Sequence, residues 1–383
     1  MKNQALLNTV AATAMLLCAC ANGTSVAQGA NDDQVVSLDA LENASDANND
    51  LLDGLNYKLL GMPDEVRGGS VVLGWPSSGV AARFEGSQLL ATINGNNDTY
   101  LDIEINDVLK TVRLNNGRFT YRLIDAAPGS YDVSVKLRTE RPYRPVTFEG
   151  FVSEDGIISA PERAEIQLLV VGDDVSTGYG IEGEDQFCDY SRATQNANLS
   201  FASLTGEDLD ADVAIVARSG RGVEKNWDNN PAPTMSVFYD RVMDNDVAAA
   251  LGDIDAIIVQ LGAIDISQSD LEPSFKTAYA DLLATMREDH PDAEIVATWG
   301  PMGAGNRYDP TKTAITDVVA QRQSAGDTKI SFIEFSNTEF GQLYGCNWHP
   351  SADTQRFMAS RLTDHLAMRL NLDVDLDDLL LGG

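Results

Sequence analysis

Basic residues are scarce in this chain: 27 Lys and Arg stand against 58 Asp and Glu, a formal charge of −31 over 383 residues. So acidic a surface repels a phosphate backbone, which excludes nucleic acid as a partner and fits a neutral or cationic ligand, or a saline habitat. Histidine is scarcer still, at three residues, and no spacing of His, Cys, Asp and Glu is diagnostic of a metal; no cofactor is implied. Long apolar runs are missing too. The one early run, Ala5 to Leu17, is too short to span a bilayer as a helix. Cysteine is limited to four residues, Cys18, Cys20, Cys188 and Cys346.

The short apolar run is preceded by Lys2 and ends in Leu17-Cys18-Ala19-Cys20. A small residue before a cysteine at that place reads as a bacterial lipoprotein signal over residues 1–19, with acylation of Cys20; an ordinary secretory signal is the alternative. Several acyl chains anchor stably. The expected location is therefore the bacterial cell envelope, the outer membrane in particular, with the membrane as one partner. Export implies an oxidising compartment, and Cys188 and Cys346, left over from the signal, invite a disulfide.

Residues 20–56 are rich in Asn, Asp, Ala and Ser and read as a flexible tether. From 57 to 160 the pattern becomes short alternating runs broken by Gly, Asn and Pro: Ser70 to Trp75, Leu89 to Ile93, Leu101 to Ile105, Phe119 to Leu123, Tyr131 to Leu137 and Pro145 to Phe151. Many short strands without a helical period predict a β-sandwich, a jelly roll. Trp75 and Phe84 fit either its core or a sugar-binding face, with core the commoner fate of an aromatic in an alternating strand.

Over 161–383 the period changes again. Apolar strands at Ile166 to Val171, Val213 to Ala217, Ala256 to Leu261, Glu294 to Thr298 and Ile330 to Phe335 alternate with helical stretches, among them Glu272 to Glu288, Lys312 to Ala325 and Ala352 to Leu370. This alternation predicts an α/β domain with a parallel sheet covered on both faces. Ligands of such sheets bind beyond the carboxyl ends of strands. The strand ends carry Gly172-Asp173-Asp174-Val175-Ser176, Ser219-Gly220-Arg221-Gly222, Gly262-Ala263-Ile264-Asp265 and Gly345-Cys346-Asn347-Trp348-His349-Pro350.

Four such motifs in this order resemble the SGNH hydrolases, whose sheet is the flavodoxin-like three-layer kind. Val223, Asn226, Thr234-Met235, Phe238-Tyr239-Asp240-Arg241 and Trp348-His349-Pro350-Ser351, after a β-domain, narrow the resemblance to carbohydrate esterase family 2, secreted bacterial enzymes that remove acetyl groups from polysaccharides such as xylan and glucomannan. The resemblance implies a serine nucleophile in a Gly-Asp-Ser turn and a C-terminal histidine base. It also implies oxyanion donors from the nucleophile's N–H, a glycine N–H after the second strand and an asparagine after the third. The base position is His349 and the glycine donor Gly220. The nucleophile position is Asp174, the asparagine position is Ile264, and the aspartate two before the histidine is Asn347.

A carboxylate attacking an ester would give an acid anhydride, an uphill step, and each lost oxyanion donor costs about a hundred- to a thousand-fold in rate. Ser176 and Ser219 lie nearby, but the sequence places no base beside either. Three readings follow. One is a glycan-binding protein that keeps the cleft without serine-esterase turnover on acetylated polysaccharide. Another is an active carbohydrate O-deacetylase with altered chemistry. The third is a divalent metal site of Asp173, Asp174, Asp265 and His349. Tyr179, Arg221, Trp227, Trp299 and Trp348 are the candidates for sugar contact, each weighed against plain packing. His290 and His365 are expected at surface or satisfied positions. Assembly of the cleft should bring Cys188 to Cys346, and Asp174 to His349.

Overall fold

The computed structural model describes residues 40–41, 55–62, 65–67, 70–140, 146–230, 232–241, 253–302, 305–336 and 344–372. The signal segment, Cys20 and nearly all of 20–56 lie outside them. Within the stretch expected as tether, β1 (Ala40–Leu41) pairs with a later strand, so this part of the chain is laid onto the β-domain.

That domain contains β1, β2 (Lys58–Leu60), β3 (Glu65–Arg67), β4 (Ser70–Leu73), β5 (Gly79–Gly95), β6 (Tyr100–Ile105), β7 (Val108–Arg113), β8 (Gly117–Leu137), β9 (Val146–Val152) and β10 (Ile157–Ser159). All pairs are antiparallel, in the order β3-β4-β9-β5-β8-β6-β7, with β1 on β8 and both β2 and β10 on β5. The sandwich rests on two long strands, β5 and β8, which run through what the sequence shows as separate short runs. Their pairing shifts register between Gly86 and Gln88 and again between Leu89 and Leu90. Those bulges change the parity of the strand. Before them the buried residues are Val80, Ala82 and Phe84; after them, Leu89, Ala91 and Ile93. Phe84 is wholly buried in this core.

The second domain alternates β11 (Ile166–Gly172), α1 (Phe201–Asp208), β12 (Ala211–Ala217), α2 (Met235–Phe238), β13 (Ala256–Gln260), α3 (Phe275–Asp289), β14 (Glu294–Trp299), α4 (Tyr308–Ser324), β15 (Ile330–Glu334) and α5 (Ala352–Leu370). Its sheet is parallel, in the order β12-β11-β13-β14-β15. This is the flavodoxin-like order, and its switch point lies at the carboxyl ends of β11 and β13. Both faces are covered, which is why the strands read as continuous apolar runs. Leu168 and Val170 pack with Phe201, Met358 and Leu362 of α1 and α5, while Leu169 and Val171 join Phe275, Tyr279 and Ile315 of α3 and α4. The Ser351 hydroxyl caps α5 by accepting the Thr354 N–H at 3.3 Å, and the helix ends on Asn371 at φ 56°. Trp75, at the end of the β4 run, packs in the second domain's core. Its ring meets Phe238 edge-on at 6.3 Å and its Nε1–H donates to the Arg241 carbonyl at 3.1 Å.

Buried polar groups join the two domains. Arg138, just beyond β8, donates through Nε to the Gln195 carbonyl (3.2 Å) and through Nη1 to Thr111 (3.0 Å), and it pairs with Asp102 and Glu182. Asn198 Nδ2 donates to Asp102 (2.8 Å) and Ser77 Oγ donates to Asn198 (2.6 Å). The loop from 173 to 200, which follows the first strand of the sheet, is thereby fixed from the β-domain side.

Candidate functional site

At the carboxyl end of β11 the chain turns sharply: the Ser176 and Thr177 N–H groups both donate to the Asp173 carbonyl at 3.1 Å. Asp174 stands at the head of this turn, 9 % exposed. Its Oδ1 accepts the Gly220 N–H at 2.8 Å. Gly220 follows β12 and lies at φ +74°, a backbone region that glycine enters without strain and that aims its N–H inward. Oδ2 of Asp174 faces Nε2 of His349 at 3.6 Å. Asp174, Gly220 and His349 therefore meet at the sheet's switch point.

The histidine is held by three devices. Cys346 is bonded to Cys188 with Cα atoms 4.7 Å apart, across 158 residues of chain. Gly183 lies against the bond, where a Cβ would stand 2.6 Å or less from both sulfurs. The Cys346 N–H donates to the Gly180 carbonyl at 2.9 Å, and the Asn347 N–H to the Cys188 carbonyl at 3.2 Å. Finally, Tyr179 places its ring 4.2 Å from the imidazole and stacks on Tyr190 at 4.0 Å. His349 Nδ1 lies 3.3 Å from the Cys346 carbonyl, which assigns the Nδ1–H tautomer and leaves Nε2 as an acceptor in the neutral ring. Nε2 is buried with no hydrogen-bond partner among the described residues. Asn347 does not reach the imidazole; its Nδ2 donates to the Tyr179 hydroxyl at 3.4 Å.

Beneath the turn, Asp173 is buried, with Oδ1 accepting the Val175 N–H at 3.3 Å and Oδ2 unpartnered. Burial, then the charges of Asp174 and Asp265, holds its carboxyl well above the usual range. Asp265 accepts the N–H groups of Val223 (3.0 Å), Glu224 (2.8 Å) and Lys225 (3.1 Å); burial raises its pKa against these bonds. With Asp265 spent on the turn after β12, the four-ligand metal reading fails, and among the described residues no group of three or more His, Cys, Asp or Glu is placed to hold a metal. Ile264 is buried and apolar, so it supplies no donor. Neither nearby serine is hydrogen-bonded to His349. Ser176 Oγ is buried against Gly172 without a partner, and Ser219 Oγ shares a hydrogen bond with Thr177 at 3.0 Å.

The GDSL-like lipase/acylhydrolase family model matches residues 170–370, more than half the chain. The chain belongs to that family. The carbohydrate esterase 2 N-terminal model matches 64–161, across the β-domain of this GDSL-like chain. Among curated relatives, a cellulase/esterase of Acetivibrio thermocellus is 28 % identical over 77 % of this chain, which spans 37 % of that protein's length. An acetylxylan esterase/glucomannan deacetylase of Cellvibrio japonicus is 23 % identical over 78 % of this chain and 86 % of that one. A solved family two carbohydrate esterase from Clostridium thermocellum, in complex with cellohexaose, is 27 % identical and superposes with a TM-score of 0.79 over 82 % of this chain and 99 % of that one.

In this GDSL-like chain the candidate sugar contacts divide. Trp227 is 53 % exposed beside Gly220, and its N–H donates to the Gly220 carbonyl at 3.0 Å. Trp348 is equally exposed, at φ +63°, next to the histidine. Arg221 lies half-buried in the Gly220 turn, and Tyr179 is committed to the imidazole. Trp299 does not belong with them. The strand runs one residue further than expected, so Ile295, Ala297 and Trp299 share one face, and Trp299 is wholly buried in the core under α3 and α4. The sequence reading missed Phe187, 74 % exposed with its ring edge-on to Trp348 at 5.7 Å, and Glu140 of the β-domain side, whose carboxylate accepts the Ser219 N–H at 2.8 Å. The neighbouring Cys188 was the only signal for Phe187; nothing local pointed to Glu140.

Proposed function

We propose that this chain binds polysaccharide of the kind its relatives' names describe, acetylated xylan, glucomannan and cello-oligosaccharide, and carries out no serine-esterase turnover. The observation that carries the reading is the Asp174 carboxylate on the Gly220 N–H with His349 behind it. An oxyanion must find its fixed donors free, and here the glycine donor is taken by a side chain of the protein itself. The asparagine donor position is held by the buried, apolar Ile264. Asp174 as nucleophile would end in an anhydride, and a water activated by His349 would need the space beside Nε2 that Asp174 fills. The exposed indoles of Trp227 and Trp348 supply stacking faces, which binding needs and ester cleavage does not.

Calorimetric titration of cellohexaose tests the binding half. Binding is expected in the wild type, with Trp227→Ala or Trp348→Ala weakening it by about 1–3 kcal/mol, from roughly fivefold to roughly 150-fold, as for loss of a stacking aromatic. No heat and no competition with wild-type protein would overturn the reading.

A further inference from the structure

We propose that the cleft selects sugar units whose contacted hydroxyl is free, and rejects the same units when that hydroxyl is acetylated; this rests on the glycan-binding reading above. The argument is an inventory of donors and acceptors. The Gly220 N–H is used by Asp174 Oδ1 at 2.8 Å, Ile264 offers none, and His349 directs its Nδ1–H to the Cys346 carbonyl. The side-chain atom left to face a ligand at the centre is Oδ2 of Asp174, a charged acceptor 3.6 Å from His349 Nε2. An acetyl ester brings only acceptors, a carbonyl and an ether oxygen, so it would face a carboxylate with no proton between them. A sugar hydroxyl brings the missing proton.

Displacing Asp174 from the Gly220 N–H gives the ester no advantage, because a charged acceptor holds that donor more strongly than a neutral carbonyl does. The Asp174 side chain keeps 12 % of its surface open, and the Gly220 that it bonds also accepts the N–H of the exposed Trp227, so a pyranose stacked on that indole is offered the carboxylate as a hydroxyl acceptor. In shape the carboxyl reproduces a bound acetate, one oxygen on the glycine donor and one toward the imidazole. The cleft is thereby filled as if deacetylation had already occurred.

The test titrates the whole chain with one glucomannan oligosaccharide in two forms, acetylated and after alkaline removal of its acetyl groups, while free acetate is followed in the same sample. The wild type should bind the deacetylated form about tenfold or more tightly, since a site built for a hydroxyl penalises its loss heavily. Asp174→Ala should bring the two affinities to within about twofold, and Asp174→Asn, which keeps the shape and adds an N–H, should move the preference toward the acetylated form. Circular dichroism establishes that each variant is folded. Equal affinities in the wild type, a preference for the acetylated form, or a preference unchanged in both variants overturns the inference and leaves glycan binding standing. Failure of both forms to bind overturns both.

Discussion

At the scale of single residues, the proposed function turns on Asp174. Its carboxylate accepts the Gly220 N–H, and under that proposal it stands where a serine nucleophile would act and takes a donor that an oxyanion would need. That the residue is an aspartate was legible in the sequence. Its direction was not, because a carboxylate on a tight turn can point outward to solvent or inward to an N–H with equal ease until the partner strand's glycine is in place. Trp299 shows the opposite failure: a one-residue error in strand length moved an aromatic from the buried face to a supposed loop. Asp173 yields a pH prediction. Its folded pKa lies above the ordinary 3.8, chiefly through burial. The protonated form therefore contributes stability that is fully present below pH 3.8 and is lost as pH rises through the folded value. Asp173→Asn, uncharged throughout, should flatten that decline, with Asp265 supplying a smaller residue of the same sign. Urea midpoints measured across the window should converge between variant and wild type at low pH and separate as it rises; parallel curves would contradict the assignment.

At the scale of elements, the strands of the parallel sheet were legible to within a residue or two because burial on both faces leaves an uninterrupted apolar run. The helix α1 was not, since its eight residues include Gly206 and carry little amphipathic contrast; a Cβ there would stand 2.2 Å from Val213, so the glycine is what lets the helix approach β12. The long strands β5 and β8 were also hidden, because the bulges break the alternation that marks a strand. The element that makes the site is the pair of loops joined by Cys188 and Cys346. Closing so long a span, 158 residues, removes chain entropy from the unfolded state, and loss of such a bond costs on the order of 2–5 kcal/mol. The double variant Cys188→Ser, Cys346→Ser should melt several degrees lower and bind cellohexaose more weakly, because Trp348 and His349 lose their tie to the first loop. Unchanged affinity would show that the backbone bonds from Cys346 to Gly180 and from Asn347 to Cys188 hold the loop alone.

At the scale of the whole molecule, the β-domain is part of the site's frame. Arg138, Asp102 and Ser77 bind the loop that follows Asp174, and Glu140 holds the N–H beside Gly220. These contacts join residues 57 to 121 positions apart in sequence, so no local pattern announces them, whereas the order of domains and of strand ends was readable from composition and period. Under the proposed function the frame and the cleft are kept while the reacting groups differ, the separation of fold from function expected when sites are grafted onto scaffolds. The most direct measurement is the initial rate of acetate release from acetylated glucomannan by wild type and by Asp174→Ser in parallel. The wild type should stay at background, Asp174→Ser should rise above it, and adding Ile264→Asn should raise the rate further, by up to about a hundredfold if the amide reaches the oxyanion. Acetate release by the wild type that survives Asp174→Ala would contradict the account.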